Sequence, residues 1–297
     1  MCWNWKQYFK TRHEGLGTTY ERFILNGYFS RIRVQYGVKS VLEAPIFGMR
    51  GISGINSIWW ASHGIHVTMM DHSRERSALI REVWRELSLK ADLVHDPGTY
   101  QSLPFGDREF DMSWSFAALN SDLNLKGLIG ELARVTRKVI FICVPNPFNL
   151  FSRLGTVRQK NRDRFQPGMP GSGIIEKAMI ASKWQVRETG YLDAPPWPDI
   201  AMPKEDLLRK MGLTRYARRL KNRITEEKRV CILDYYNGKK KEMKGKILRY
   251  AFLENTPGLL KSIVAHHRYI VFTPQHSDLS FRPPTLRMVG SAKGLFR

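Results

Sequence analysis

The stretch VLEAPIFGMRGISGINSIWW, Val41 to Trp60, reads as a strand that runs into a glycine loop and then a helix. Gly48, Gly51 and Gly54 recur every third residue. Glycines between a strand and a helix let the backbone approach a ligand, and the helix N-terminus offers free N–H groups. A dinucleotide loop needs G-x-G-x-x-G, and the spacing here is G-x-x-G-x-x-G. Glu43, at the end of the strand, would repel a pyrophosphate and suits a cation instead. Ser53 or Asn56 is placed to cap the helix and Gly64 to end it.

Outward from this stretch, short apolar β-rich runs alternate with amphipathic ones. KSVLEA, IHVTMMD, ADLVHD, FDMSWSF and KVIFICVPN read as strands; GINSIWWASHG, RERSALIREVWRELSL and LKGLIGELARVTR read as the helices between them. Strand, helix, strand at this spacing predicts a parallel sheet covered on both faces. Residues 1–36 suit one or two helices ending near Gly37. Beyond Pro145 come a Pro/Gly loop, the helix GIIEKAMIAS, the strand WQVRETGYLD, a Pro-rich segment, a basic helical block and a last strand, HHRYIVFTP.

The 297 residues are 42% hydrophobic, which is ample for a core. No apolar run is long enough to cross a membrane, and the N-terminus lacks the apolar core of a signal peptide, so a cytoplasmic chain, or one peripheral to a membrane, is expected. Cys2, Cys143 and Cys231 lack metal-ligand spacing and read as free thiols. The net charge of +21 is uneven: residues 1–150 hold 18 Lys and Arg against 14 Asp and Glu, and residues 151–297 hold 30 against 13. Within the basic half, Arg215, Arg218 and Arg219 share one helical face by their spacing. They offer a phosphate-attracting surface for an anionic membrane or nucleic acid; the alternative is a solvated face.

Asp71 ends the second strand, where a ribose-binding carboxylate belongs. A ligand with a ribose for Asp71, a cationic amino group near Glu43 and no phosphate at the glycine turn is S-adenosylmethionine (SAM). Here the sequence resembles the class I SAM-dependent methyltransferases, over about Val38 to Asn146 and again at WQVRETGYLD and HHRYIVFTP. VLEAPIFGMRGISG is similar to that family's first motif, VTMMDHS to its acidic second strand, SLPFGDREFDMSWSF to its fourth-strand region, and LIGELARVTRKVIFICVPN to its fifth helix and strand.

The resemblance implies a Rossmann-like, doubly wound, mostly parallel sheet, with an N-terminal helical cap (1–36), a SAM-binding core (37–193), a basic helical insertion covering the substrate (194–265), and the last strand and tail (266–297). It implies Gly48, Gly51 and Gly54 along the cofactor, Glu43 facing its amino group, Asp71 on the ribose hydroxyls, His72 beside the adenosine and Asp96 at the adenine. Alternatives stand beside these: Glu43 bonded to loop N–H groups, the glycines serving only the turn and helix packing, and Tyr100 or Gln101 at the adenine. Pro45 and Phe47 replace common glycines of the first motif, so the turn is shaped differently.

The implied chemistry is an in-line methyl displacement to a small-molecule or lipid-like acceptor, for which no metal is expected. His63, His66, His95, His266 and His267 are bases by type, and none is assigned that role. An NAD oxidoreductase is disfavoured by the glycine spacing and Glu43. The rival reading is a nucleic-acid-binding protein or RNA methyltransferase that uses the basic half.

Overall fold

Seven strands form one sheet in the computed structural model, which describes residues 5–46, 53–97, 99–119, 124–149, 171–196 and 230–275. The strands are β1 (Ser40–Glu43), β2 (His66–Asp71), β3 (Asp92–His95), β4 (Phe110–Phe116), β5 (Thr136–Pro145), β6 (Trp184–Leu192) and β7 (His267–Pro274). Their order across the sheet is β3-β2-β1-β4-β5-β7-β6. The first five pair in parallel. β7 runs antiparallel to both β5 and β6. This is the Rossmann-like, mostly parallel sheet expected from the sequence.

The continuous apolar runs are explained by burial of both faces. Along β5, Val139, Phe141 and Cys143 face one core while Ile140, Ile142 and Val144 face the other. The first core is roofed by α2 (Gly15–Tyr36), α3 (Ile58–Ser62) and α4 (Arg74–Glu86), with α1 (Trp5–Thr11) packed beside them. At its centre Phe29 of α2 lies 4.9 Å from the Trp60 ring and 4.8 Å from that of Trp114. The second core is covered by α5 (Leu125–Val135) and α6 (Ser172–Ala181) through Leu128, Leu132, Ile175 and Met179.

Helix ends follow local chemistry. Gly37, at φ 57°, closes α2 with its N–H on the Arg33 carbonyl, a left-handed turn that glycine adopts without strain. The Ser73 hydroxyl accepts from the Arg76 N–H at 3.2 Å and starts α4. The helix expected over 54–64 is shorter than predicted: a 3-10 turn spans Ser53–Ile55 and α3 begins only at Ile58. The cap position is not Asn56. The N-cap residue is Ser57, whose side chain makes no capping bond because it is drawn to Glu43, while Asn56 accepts from Arg22.

At the N-terminal end of β4 Asp111 gathers Arg137, Lys138 and the Lys39 N–H. Between β6 and β7 the described insertion contains α7 (Leu233–Tyr236), α8 (Met243–Leu248), a 3-10 turn (Ala251–Asn255) and α9 (Gly258–Val264). Arg215, Arg218 and Arg219 lie outside the described residues, as do Gly48 and Gly51. No described helix is long and apolar enough to cross a membrane.

Candidate functional site

The chain reverses its winding between β1 and β4, so the C-terminal ends of β1, β2 and β4 border a crevice, the usual ligand position in an open α/β sheet. Backbone bonds fix the first residues beyond β1 there: the Ala44 N–H donates to the Trp114 carbonyl and the Ile46 N–H to that of Met70, both at 3.1 Å.

Three carboxylates stand along this edge. Glu43 ends β1 fully buried and accepts from the Ser57 hydroxyl. Asp71 ends β2, also fully buried, and its two oxygens take the Arg76 Nε–H and Nη2–H as a fork. The Ser73 N–H adds a bond to Asp71 Oδ1 at 3.2 Å. Asp96 follows β3; its N–H donates to the Asp71 carbonyl at 3.0 Å and its Oδ1 accepts from the Tyr100 N–H at 3.1 Å. Burial, with Asp71 and Asp96 close by, pushes the Tyr100 phenol far above its ordinary value. Tyr100 is thus beside Asp71, whereas Gln101 is exposed.

His72 is half exposed, its Nδ1 3.6 Å from Asp71 Oδ1. Gly54 is closely packed: a Cβ there would come within 2.9 Å of Ile80 Cδ1, and its carbonyl accepts from Trp84 Nε1 at 3.1 Å. Helix packing therefore accounts for this glycine.

α1 leans on the same edge. The Arg76 guanidinium sits 5.6 Å from the Trp5 ring centroid, and Lys6 pairs with Glu75 at 2.8 Å. Sequence reasoning missed Arg76. Its signal was a cation in the first turn of a helix, where the macrodipole disfavours one, five residues after a strand-ending acid.

A second buried polar group lies across the sheet, where β5 and β6 end and β7 begins. His267 Nε2 is 3.1 Å from Glu21 Oε2 of α2, and His266 Nδ1 is 2.7 Å from Asp193 Oδ2. Burial holds the Asp193 carboxyl above its usual range, against the pull of His266. The His267 ring packs 4.5 Å from that of Phe116, the last residue of β4. The described thiols, Cys143 and Cys231, are buried: burial pushes Cys231 up to about 11 and Cys143 well above its ordinary value.

Residues 50–142 match the family described as "Methyltransferase domain". Over that stretch the chain carries a methyltransferase domain. Among solved structures, the methyltransferase is similar to a Bacillus halodurans protein assigned as a methyltransferase (14% identity, 84% of this chain and 98% of that one, TM-score 0.48). It is also similar to a Galdieria sulphuraria protein assigned as a sarcosine dimethylglycine methyltransferase (12%, 86% and 85%, 0.46). A third is geranyl diphosphate methyltransferase in complex with GPP and sinefungin (12%, 84% and 76%, 0.43). A comparison with curated proteins finds no match.

The methyltransferase family implies SAM as cofactor. SAM presents donors: a cationic amino group, two ribose hydroxyls and an adenine amino group. The edge presents buried acceptors in Glu43, Asp71 and Asp96, so the chemistry of the residues fits the cofactor.

Proposed function

We propose that this methyltransferase holds SAM along the ends of β1, β2 and β3 and passes its methyl group to a small-molecule or lipid-like acceptor. The observation that carries the reading is the row of three buried carboxylates closing three adjacent strands beside the crevice. Bound SAM supplies an electrophilic methyl group on a sulfonium.

The chain's own residues do the holding. Glu43, oriented by Ser57, faces the amino group. Asp71 takes the ribose hydroxyls by exchanging them for the Arg76 fork, and a carboxylate can accept both O–H donors. His72 lies beside the adenosine and Asp96 meets the adenine. Gly48 and Gly51, which lie outside the described residues, would line the cofactor. α1 and α2 cover the site and exclude water, which favours an aligned displacement.

The lipid-like acceptor is supported by exposed apolar side chains on the insertion: Phe252, Leu259 and Leu260 are 59%, 81% and 57% exposed. An apolar surface next to a strongly basic chain suits an amphiphile with an anionic head. The test is methyl transfer from labelled SAM to a lipid extract, a hydrophilic metabolite fraction and total RNA in parallel. Label in lipid or small-molecule product supports the proposal. Label confined to RNA would overturn the acceptor class, and no transfer to any fraction, with SAM bound, would count against it as well.

A further inference from the structure

Among the described residues, Glu21, Asp193 and His267 form a buried group in which one ligand atom from each lies within 4.8 Å of the others. We infer that these three side chains form a site for one divalent cation of the zinc, cobalt(II) or manganese(II) class.

The geometry suits such an ion. Donors held about 2.0–2.2 Å from a metal lie roughly 3.0–3.5 Å apart in octahedral or tetrahedral arrangements. His267 Nε2 is 3.1 Å from Glu21 Oε2 and 3.9 Å from Asp193 Oδ2, and all three donors lie within 4.8 Å, so closure on an ion draws the side chains together. The electrostatics point the same way. Two carboxylates, Glu21 and Asp193, are buried together, and burial of like charges favours a cation between them. Asp193 is 2% exposed, yet its Oδ1 has no hydrogen-bond partner.

His266 Nδ1, 2.7 Å from Asp193 Oδ2, orients that carboxylate as outer-shell partners of metal ligands do. An imidazole with two carboxylates favours zinc-like ions over magnesium or calcium, which take oxygen ligands. The contact of His267 with Phe116 places the cation near the end of β4, across the crevice from Asp71. The site does not depend on methyl transfer.

The competing account is a metal-free hydrogen-bond network of the two histidines with the two carboxylates. The untagged full chain, stripped with EDTA and dialysed, is titrated at pH 7.5 with cobalt chloride by visible absorption and with zinc chloride by calorimetry. The site predicts one equivalent bound, a visible band without thiolate charge transfer, and a raised melting temperature. Glu21→Gln and Asp193→Asn should weaken binding about tenfold or more. Glu21→Gln provides the comparison if Asp193→Asn does not fold. No binding at millimolar metal by the folded wild type would overturn the inference. Equal binding by wild type and a folded variant would overturn it too.

Discussion

Asp71→Asn separates the two duties placed on this carboxylate when it is combined with Arg76→Met. In the ligand-free protein Asp71 is the counter-charge of Arg76, whose side chain is 4% exposed. Removing one partner of a buried pair costs about 3–5 kcal/mol, and asparagine, which keeps one acceptor, should fall near the low end. Replacing both partners leaves no orphaned charge, so the double variant should recover most of that loss. Cofactor affinity should not recover. Each hydrogen bond from a ribose hydroxyl to a carboxylate is worth about 1.5–3 kcal/mol, so both variants should bind at least tenfold more weakly, a loss of about 1.4 kcal/mol or more. Urea unfolding reads the stability, and calorimetry with S-adenosylhomocysteine reads the affinity. A double variant that binds the cofactor as tightly as wild type would refute the ribose role. A single variant with an unchanged urea midpoint would refute the buried pair.

Gly54→Val should press on Ile80 and Ile46, 2.9 and 3.4 Å from the new Cβ, and cost about 1–3 kcal/mol, with S-adenosylhomocysteine affinity in the cold unchanged. An unaltered melting temperature would contradict that packing. Burial alone would raise the Asp111 carboxyl, but bonds from Arg137, Lys138 and the Lys39 N–H bring it from 3.8 to about 2. Its folded value is depressed, so its stabilisation is present above the unfolded value and is lost as pH falls through the folded one. Asp111→Asn should therefore flatten the acid limb of stability between about pH 4 and 2, which pH-dependent urea unfolding checks. Reversing Arg215, Arg218 and Arg219 to Glu should abolish low-salt binding to anionic vesicles or RNA and leave cofactor affinity intact; unchanged binding would make the stripe a solvated face.

Much of the sheet was legible because strands buried on both faces are apolar over most of their length, as VIFICV, 139–144, is in β5. α4 was legible from its period, and α2 from the glycine that ends it. The segment after the glycine loop was not. Asn56 and Ser57 look like cap residues, yet Arg22 and Glu43, distant in sequence, capture their side chains. The strand-ending acids could be placed, but not the Arg76 fork on Asp71, because sequence position alone does not show which cation folds back. Glu21, Asp193 and His267 were illegible as a group: 172 residues separate the first two, and only the antiparallel return of β7 brings the histidine to them. His267 could be named by type; its partners could not.

A crystal structure with S-adenosylhomocysteine shows directly whether the cofactor lies on the carboxylate edge. The ribose hydroxyls should then sit on Asp71, with the Arg76 guanidinium moved off that carboxylate and the amino group toward Glu43. Clear density for the cofactor elsewhere, with the Arg76 fork still closed on Asp71, would contradict that placement.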